Sequence, residues 1–168
     1  NPDKISISIS PNGQNIAYVS SLDGVLNVFV APINNIEDAK PVTNDKKRGI
    51  WRYWFTNNPD YLIYMKDEGG NENHHLYSVN LKTLKVIDLT PFKDVKSEAL
   101  IKSNKFKNHI LIKINNRDKA YHDVYKCDIT TGKLELVFKN NNEKFKNFVA
   151  NNDLNIIFAS KFLEDGSM

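Results

Sequence analysis

Between Asp67 and His75 the chain reads Asp-Glu-Gly-Gly-Asn-Glu-Asn-His-His, its densest run of groups able to do chemistry. Asp67, Glu68 and Glu72 supply carboxylates, and Asn71 and Asn73 supply amide oxygens. Together they offer enough oxygen donors for a calcium ion, or a negative field for a peptide's amino terminus. The spacing differs from the twelve-residue EF-hand loop with its terminal bidentate glutamate. The simpler reading is a tight turn in which Gly69-Gly70 take positive φ while Asp67 and Asn73 hydrogen-bond the backbone. On a strand, adjacent His74 and His75 point to opposite faces, so they do not chelate one metal together. Glu72 and His74 share a face, but two ligands fall short of a zinc site, and no metal or cofactor is expected.

Other reactive groups are sparser. His122 beside Asp123 has half the look of a catalytic triad, but no activated serine accompanies it, and the two read as a strand-edge pair. No Gly-x-Ser-x-Gly elbow occurs, so no catalytic residue is assigned. Arg48 and Arg117 are two of three arginines in a lysine-rich chain. Their use implies multi-donor hydrogen bonding, either in pairing with Asp67 or Asp118 or in contact with a ligand or a neighbouring domain. Cys127 falls on an apolar strand and reads as a small core residue; as the lone cysteine it excludes an internal disulfide.

The elements that must position these groups are short. Ile5, Ile7 and Ile9 alternate with serines, the period of a half-buried strand, and Pro11-Asn12-Gly13 turns the chain into Ile16-Ala17-Tyr18-Val19. Further strands follow at Val28 to Val30 and Pro41 to Thr43. The layout then recurs. The aromatic run Ile50 to Phe55 meets Asn57-Asn58-Pro59-Asp60, then Tyr61 to Met65, Leu76 to Val79 and Val86 to Thr90. Second-strand positions Ile16, Leu62, Ile110 and Ile156 are 46, 48 and 46 residues apart. Third-strand aromatics Phe29, Tyr77 and Tyr125 are 48 and 48 apart, and the last-strand residues Val42, Leu89 and Val137 are 47 and 48 apart.

A four-stranded unit recurring at this interval is the signature of a β-propeller blade, whose apolar faces are covered only by neighbouring blades. The expected fold is therefore all-β, a partial β-propeller of about three and a half four-stranded antiparallel blades. Blade 1 is placed at about 5–44, blade 2 at 48–91, blade 3 at 98–140, and the start of blade 4 at 143–163. Phe29, Tyr77 and Tyr125 are expected at equivalent packing positions, and Trp51, Trp54 and Phe55 in the core between blades. Rings of this kind typically close with four to eight blades. The sequence, which opens at Asn1 without a methionine, is thus expected to be the front of a larger ring.

Composition narrows the function. With 40% apolar and 26% charged residues the chain has a globular profile. No apolar run approaches the roughly 18 residues that span a bilayer, so no membrane partner is expected. The net charge of +3 comes from lysines scattered through every segment, unlike the gathered basic face of a nucleic-acid binder. Abundant asparagine without an Asn-x-Ser/Thr sequon slightly favours a cytoplasmic setting.

The ordered motifs also carry a resemblance. Asn1-Pro2, Ile9-Ser10-Pro11-Asn12-Gly13 and Ile16-Ala17-Tyr18 resemble the opening blade of the prolyl oligopeptidase family of serine peptidases, in its acylaminoacyl-peptidase and dipeptidyl-aminopeptidase branch. The likeness continues through Gly24 to Val30, Val42-Thr43 and Leu89-Thr90-Pro91. It is strongest at Leu62, Tyr64, Asp67, Gly70, Glu72, Asn73, His75, Leu76 and Tyr77, and returns at Asn116-Arg117-Asp118, His122 to Tyr125 and Thr131-Gly132. The resemblance implies a propeller that precedes an α/β-hydrolase domain and restricts access to small peptides. The partners it implies are that hydrolase domain and short peptide substrates. Candidate gating or structural-loop residues are Arg48, Asp67, Glu72, Asn73 and Arg117. Some members grip a substrate's free amine with a glutamate pair of the propeller; no matching motif occurs here, and only Glu72 is a candidate for that role.

This chain departs from the family pattern in lacking the serine elbow; Gly166-Ser167 has no flanking match. The 168 residues are expected to hydrolyse nothing alone. Two rivals stand beside this reading. One is a stand-alone propeller-type interaction module of the TolB kind, and the other a truncated remnant whose open arc associates with itself.

Overall fold

In the computed structural model, residues 3–141 and 143–163 are described. Asn1-Pro2 and Gly166-Ser167, singled out above, lie outside them. Fourteen strands run in order: β1 Ile5–Ile9, β2 Asn15–Leu22, β3 Val25–Pro32, β4 Lys40–Pro41, β5 Arg52–Phe55, β6 Tyr61–Lys66 and β7 His75–Asn80. They continue with β8 Val86–Asp88, β9 Ser97–Lys102, β10 His109–Asp118, β11 Tyr121–Asp128, β12 Leu134–Phe138, β13 Asn147–Ala150 and β14 Ile156–Ser160. Each of the first three groups of four forms one antiparallel meander, and β13 pairs with β14 alone. The partial propeller expected from the repeat is what the chain forms.

Alternation along each second strand distributes side chains to two neighbours. From β6, Leu62 and Tyr64 join Val19, Val28, Ile50 and Tyr53 in the core between blades 1 and 2. Ile63 and Met65, on the other face, join Leu89, Ile110, Ile112 and Cys127 between blades 2 and 3. Leu111 turns the opposite way from its β10 neighbours, to Val124, Leu154 and Phe148 of the third interface. The third-strand aromatics take equivalent cross-strand positions, opposite Tyr18, Tyr64 and Ile112. Tyr18 stacks on Phe29 with ring centroids 5.7 Å apart, and Tyr64 on Tyr77 at 5.2 Å.

The two tryptophans depart from expectation to different degrees. Tyr53 and Phe55 of β5 fill the core toward blade 1, the alternating Trp54 lines a cleft toward blade 3 with Ile63, Ala99 and Ile110 but stays 37% exposed, and Trp51, before the strand, is 61% exposed. The aromatic run is thus split by strand period rather than buried as a block. The arc also leaves apolar faces open at both ends. Ile7 and Ile9 protrude from blade 1, and Val149, Ile157 and Phe158 from the half blade.

Candidate functional site

Antiparallel topology sorts the loops to two ends of the arc. One end carries the β2–β3, β6–β7 and β10–β11 turns together with the linkers between blades. All five residues anticipated from sequence lie there.

Asp45, in the linker from blade 1, organises this end. Its Oδ2 accepts the backbone N–H groups of Arg48 at 2.9 Å and Gly49 at 2.6 Å, and Oδ1 accepts Lys66 Nζ at 3.1 Å. Burial opposes ionisation of Asp45, yet these donors together hold its carboxyl below the usual carboxylate range. The linker so fixed presents Arg48, whose Nε donates to Asp67 Oδ1 at 3.2 Å. Asp67 is nearly buried while Arg48 is largely exposed. Asp67 Oδ2 accepts the Glu72 N–H at 3.2 Å and ties the loop back on itself. Gly69 and Gly70 take φ of 65° and 86°, as the turn reading requires. A Cβ at Gly70 would come within 2.9 Å of Arg48 Nη1, so the missing side chain is what lets the guanidinium lie over the loop. The amide that braces the loop is Asn71, whose Oδ1 accepts the Asn73 N–H at 2.9 Å; the Asn73 side chain does not take that part.

Arg117 is the second anticipated arginine, and its partner corrects the expectation. It forks onto Asp123, with Nε to Oδ2 and Nη2 to Oδ1 both at 2.8 Å, instead of meeting Asp118. Asp123 is buried in β11, an inner strand of its sheet, so the His122-Asp123 pair is not at a sheet edge. Burial raises the cost of its charge; Arg117 and the Asn140 N–H at 2.7 Å more than offset this, and its carboxyl sits below the usual range. Asn140 then receives the Phe145 N–H at 3.0 Å and donates to the Phe145 carbonyl at 2.8 Å, which clamps the linker toward blade 4.

The same device, missed in the sequence, stands two interfaces earlier. Asn27 occupies the position of Asp123, two residues before the stacked aromatic, and its Oδ1 accepts the Asp45 N–H at 2.7 Å. Asp45 in turn holds its linker as Asn140 does. In blade 2 the equivalent residue is His75, whose Nδ1 lies 3.5 Å from Asp88 Oδ2 without a hydrogen bond. The signal was present in the common offset from Phe29, Tyr77 and Tyr125, masked by three different residue types.

Above Arg48 and the β6–β7 loop opens a cavity of about 320 Å³, with Trp51, Arg52, Glu72 and His74 on its wall. Glu72 and His74 therefore share a cavity, though neither belongs to a strand. Among the described residues no three His, Cys, Asp or Glu side chains gather as metal ligands. Trp51 and Arg52 gave no sequence signal beyond strand propensity, and the structure brings them to this wall. The opposite end has a cavity of its own, about 570 Å³ between Pro32, Lys40, Leu81 and Leu84, and side-chain contacts that join successive blades. Asn57 Nδ2 donates to Asn104 Oδ1 at 3.0 Å, and the Asn104 N–H to Asn152 Oδ1 at 2.8 Å.

No family model matches the chain. It is 39% identical over 166 residues to dipeptidyl aminopeptidase BIII of Pseudoxanthomonas mexicana, a match covering 99% of this chain and 24% of that protein. It is 29% identical to dipeptidyl peptidase family member 6 of Caenorhabditis elegans, covering 99% of the chain and 23% of the relative. The chain thus spans about a quarter of the length of these curated relatives.

Solved structures share the fold. The β-propeller domain of the trilobed protease from Pyrococcus furiosus aligns with a TM-score of 0.59 at 18% identity, over 82% of this chain and 44% of that one. The Pyrococcus horikoshii acylaminoacyl peptidase aligns with a TM-score of 0.58 at 16% identity, over 83% and 25%. TolB from Acinetobacter baumannii aligns with a TM-score of 0.56 at 16% identity, over 80% and 32%. The resemblance read from the motifs is borne out, and the part of peptidase architecture that this chain reproduces is a portion of the propeller.

Proposed function

We propose that this chain is the amino-terminal propeller segment of a prolyl-oligopeptidase-family serine peptidase. In this reading it gates peptide access to an α/β-hydrolase domain outside these residues and docks on that domain, which performs the hydrolysis. The observation that carries it is the 39% identity to a dipeptidyl aminopeptidase along 99% of the chain. The two ends of the arc support it. At one the asparagine contacts link successive blades, and the other holds a cavity with Arg48, Glu72 and uncommitted charge around it. Arg48, Asp67, Glu72, Asn73 and Arg117 fall on that second end. Arg117 and Asp67 act there as structural anchors, and Arg48 and Glu72 face the peptide or the hydrolase.

The test compares two preparations on alanyl-alanyl-p-nitroanilide. The native gene product, immunopurified through this segment, is expected to release p-nitroaniline, and the purified 168 residues to release none. Robust turnover by the segment alone sinks the assignment.

A second reading has one observation in its favour, the alignment with TolB over 80% of the chain. On that reading the segment is a stand-alone interaction module, or completes a ring by self-association of its open apolar faces. Inactivity of the immunopurified native product on every aminoacyl and dipeptidyl substrate favours it.

A further inference from the structure

The charges around the 320 Å³ cavity are unevenly committed. Lys66 is held by Asp45, and Arg48 uses only Nε on Asp67, which leaves both of its Nη groups without a side-chain partner among the described residues. Arg52 and the Glu72 carboxylate have no hydrogen bond or ion pair among the described residues, and the Trp51 indole is mostly exposed beside them. Once the paired charges cancel, one free guanidinium and one free carboxylate remain, and the wall is formally neutral. Unused guanidinium N–H donors outnumber unused acceptors, since Arg52 offers five in a fork matched to a carboxylate.

We propose that Arg52, with Trp51 as its apolar floor, binds the free α-carboxylate of a short zwitterionic peptide in this cavity. The volume lies at the small end of ligand pockets, suited to one or two residues and too small for a folded partner's loop. The neutral wall matches a ligand that is itself neutral overall, with its cationic end toward Glu72, and disfavours polyanions. Forked hydrogen bonding from Arg to a carboxylate is charge-assisted, and an indole face accepts an aliphatic side chain against it. This deepens the peptide-gating reading and rests on it for the source of such peptides. It adds Trp51 and Arg52, and a carboxylate end, to the residues already placed there.

Trp51 and Trp54 are the two tryptophans of these 168 residues, so in the purified segment Trp54→Phe leaves Trp51 as the sole indole reporter. In that background alanyl-alanine is expected to change Trp51 emission saturably, with Kd in about the millimolar range. Alanyl-alanine amide, lacking the carboxylate, is expected to bind about tenfold more weakly. Arg52→Gln lowers alanyl-alanine to the level of the amide, and Arg52→Lys recovers part of the difference; circular dichroism verifies that each variant stays folded. Equal binding of the free acid and the amide overturns the proposal, as does unchanged affinity in Arg52→Gln. So does equal binding of N-acetyl-aspartate amide, which would assign the site to an acidic side chain of a partner. Docking to the hydrolase domain is measured separately with Arg48→Glu. No saturable binding of alanyl-alanine with Arg52 intact, while docking is retained, removes this inference and leaves the functional reading in place.

Discussion

Asp123 and Asp67 show how differently two arginine–carboxylate pairs contribute. Asp123 is buried and receives three charge-assisted donors, whereas the Arg48–Asp67 contact is a single 3.2 Å bond to an exposed guanidinium. Removing a partner from a buried charge leaves it uncompensated, while exposed pairs contribute little. Arg117→Gln is therefore expected to lower the midpoint of thermal unfolding clearly, and Arg48→Gln to leave it nearly unchanged. Calorimetry of both variants checks this, and equal losses contradict it. The pH dependence follows from the same groups. The carboxyls of Asp45, Asp123 and Asp128 are depressed below 3.8, so their stabilisation is fully present above that pH and is lost as pH falls through the folded-state values. Urea midpoints are expected to hold steady above pH 5 and to fall steeply below about pH 4. Burial pushes the Cys127 thiol up to about 12, so the folded chain should react with dithionitrobenzoate at pH 8 far more slowly than the urea-unfolded chain. Of these residues, Cys127 was legible from its apolar strand. The Asp123 partnership was not, because Arg117 has an acidic neighbour on its own strand and its true partner lies across the β10–β11 hairpin.

Strands and their repeat were readable because period-two alternation and turn residues are local properties. Leu62, Ile110 and Ile156 stand where the spacing puts them, on the second strand of each unit. Strand limits were less legible. Pro41 to Thr43 forms a strand only at Lys40–Pro41, because Thr43 Oγ1 then bonds the Val28 N–H in place of a ladder partner. Thr90 does the same for Leu76, which ends β8 at Asp88. These side-chain caps, like the Asn27 and Asn140 clamps, are contacts between residues distant in sequence, which strand period and turn composition do not reveal. The packing between elements predicts a contrast. Leu62→Ala opens a cavity between blades 1 and 2 and is expected to cost about 2–5 kcal/mol, whereas Ile7→Ala on the open face of β1 is expected to stay within about 0.5 kcal/mol. Chemical denaturation of the two variants measures the difference, and similar values would mean that the blade-1 outer face is packed in solution.

At the scale of the whole molecule, three interfaces are buried and two apolar faces are open, one at each end of the arc. Blades are stable through their neighbours, so these faces are where further blades would pack. Ile157→Lys combined with Ile7→Lys is expected to reduce dye binding and self-association of the isolated segment without loss of β-sheet signal. The size of the chain relative to its curated relatives, about a quarter, fits the same picture. The proposed role of this propeller segment as the front of a peptidase is checked by the mass of the native gene product, read on an immunoblot of the source cells with an antibody to this segment. A band several times heavier than 19.3 kDa is expected, and a band at that mass contradicts the role.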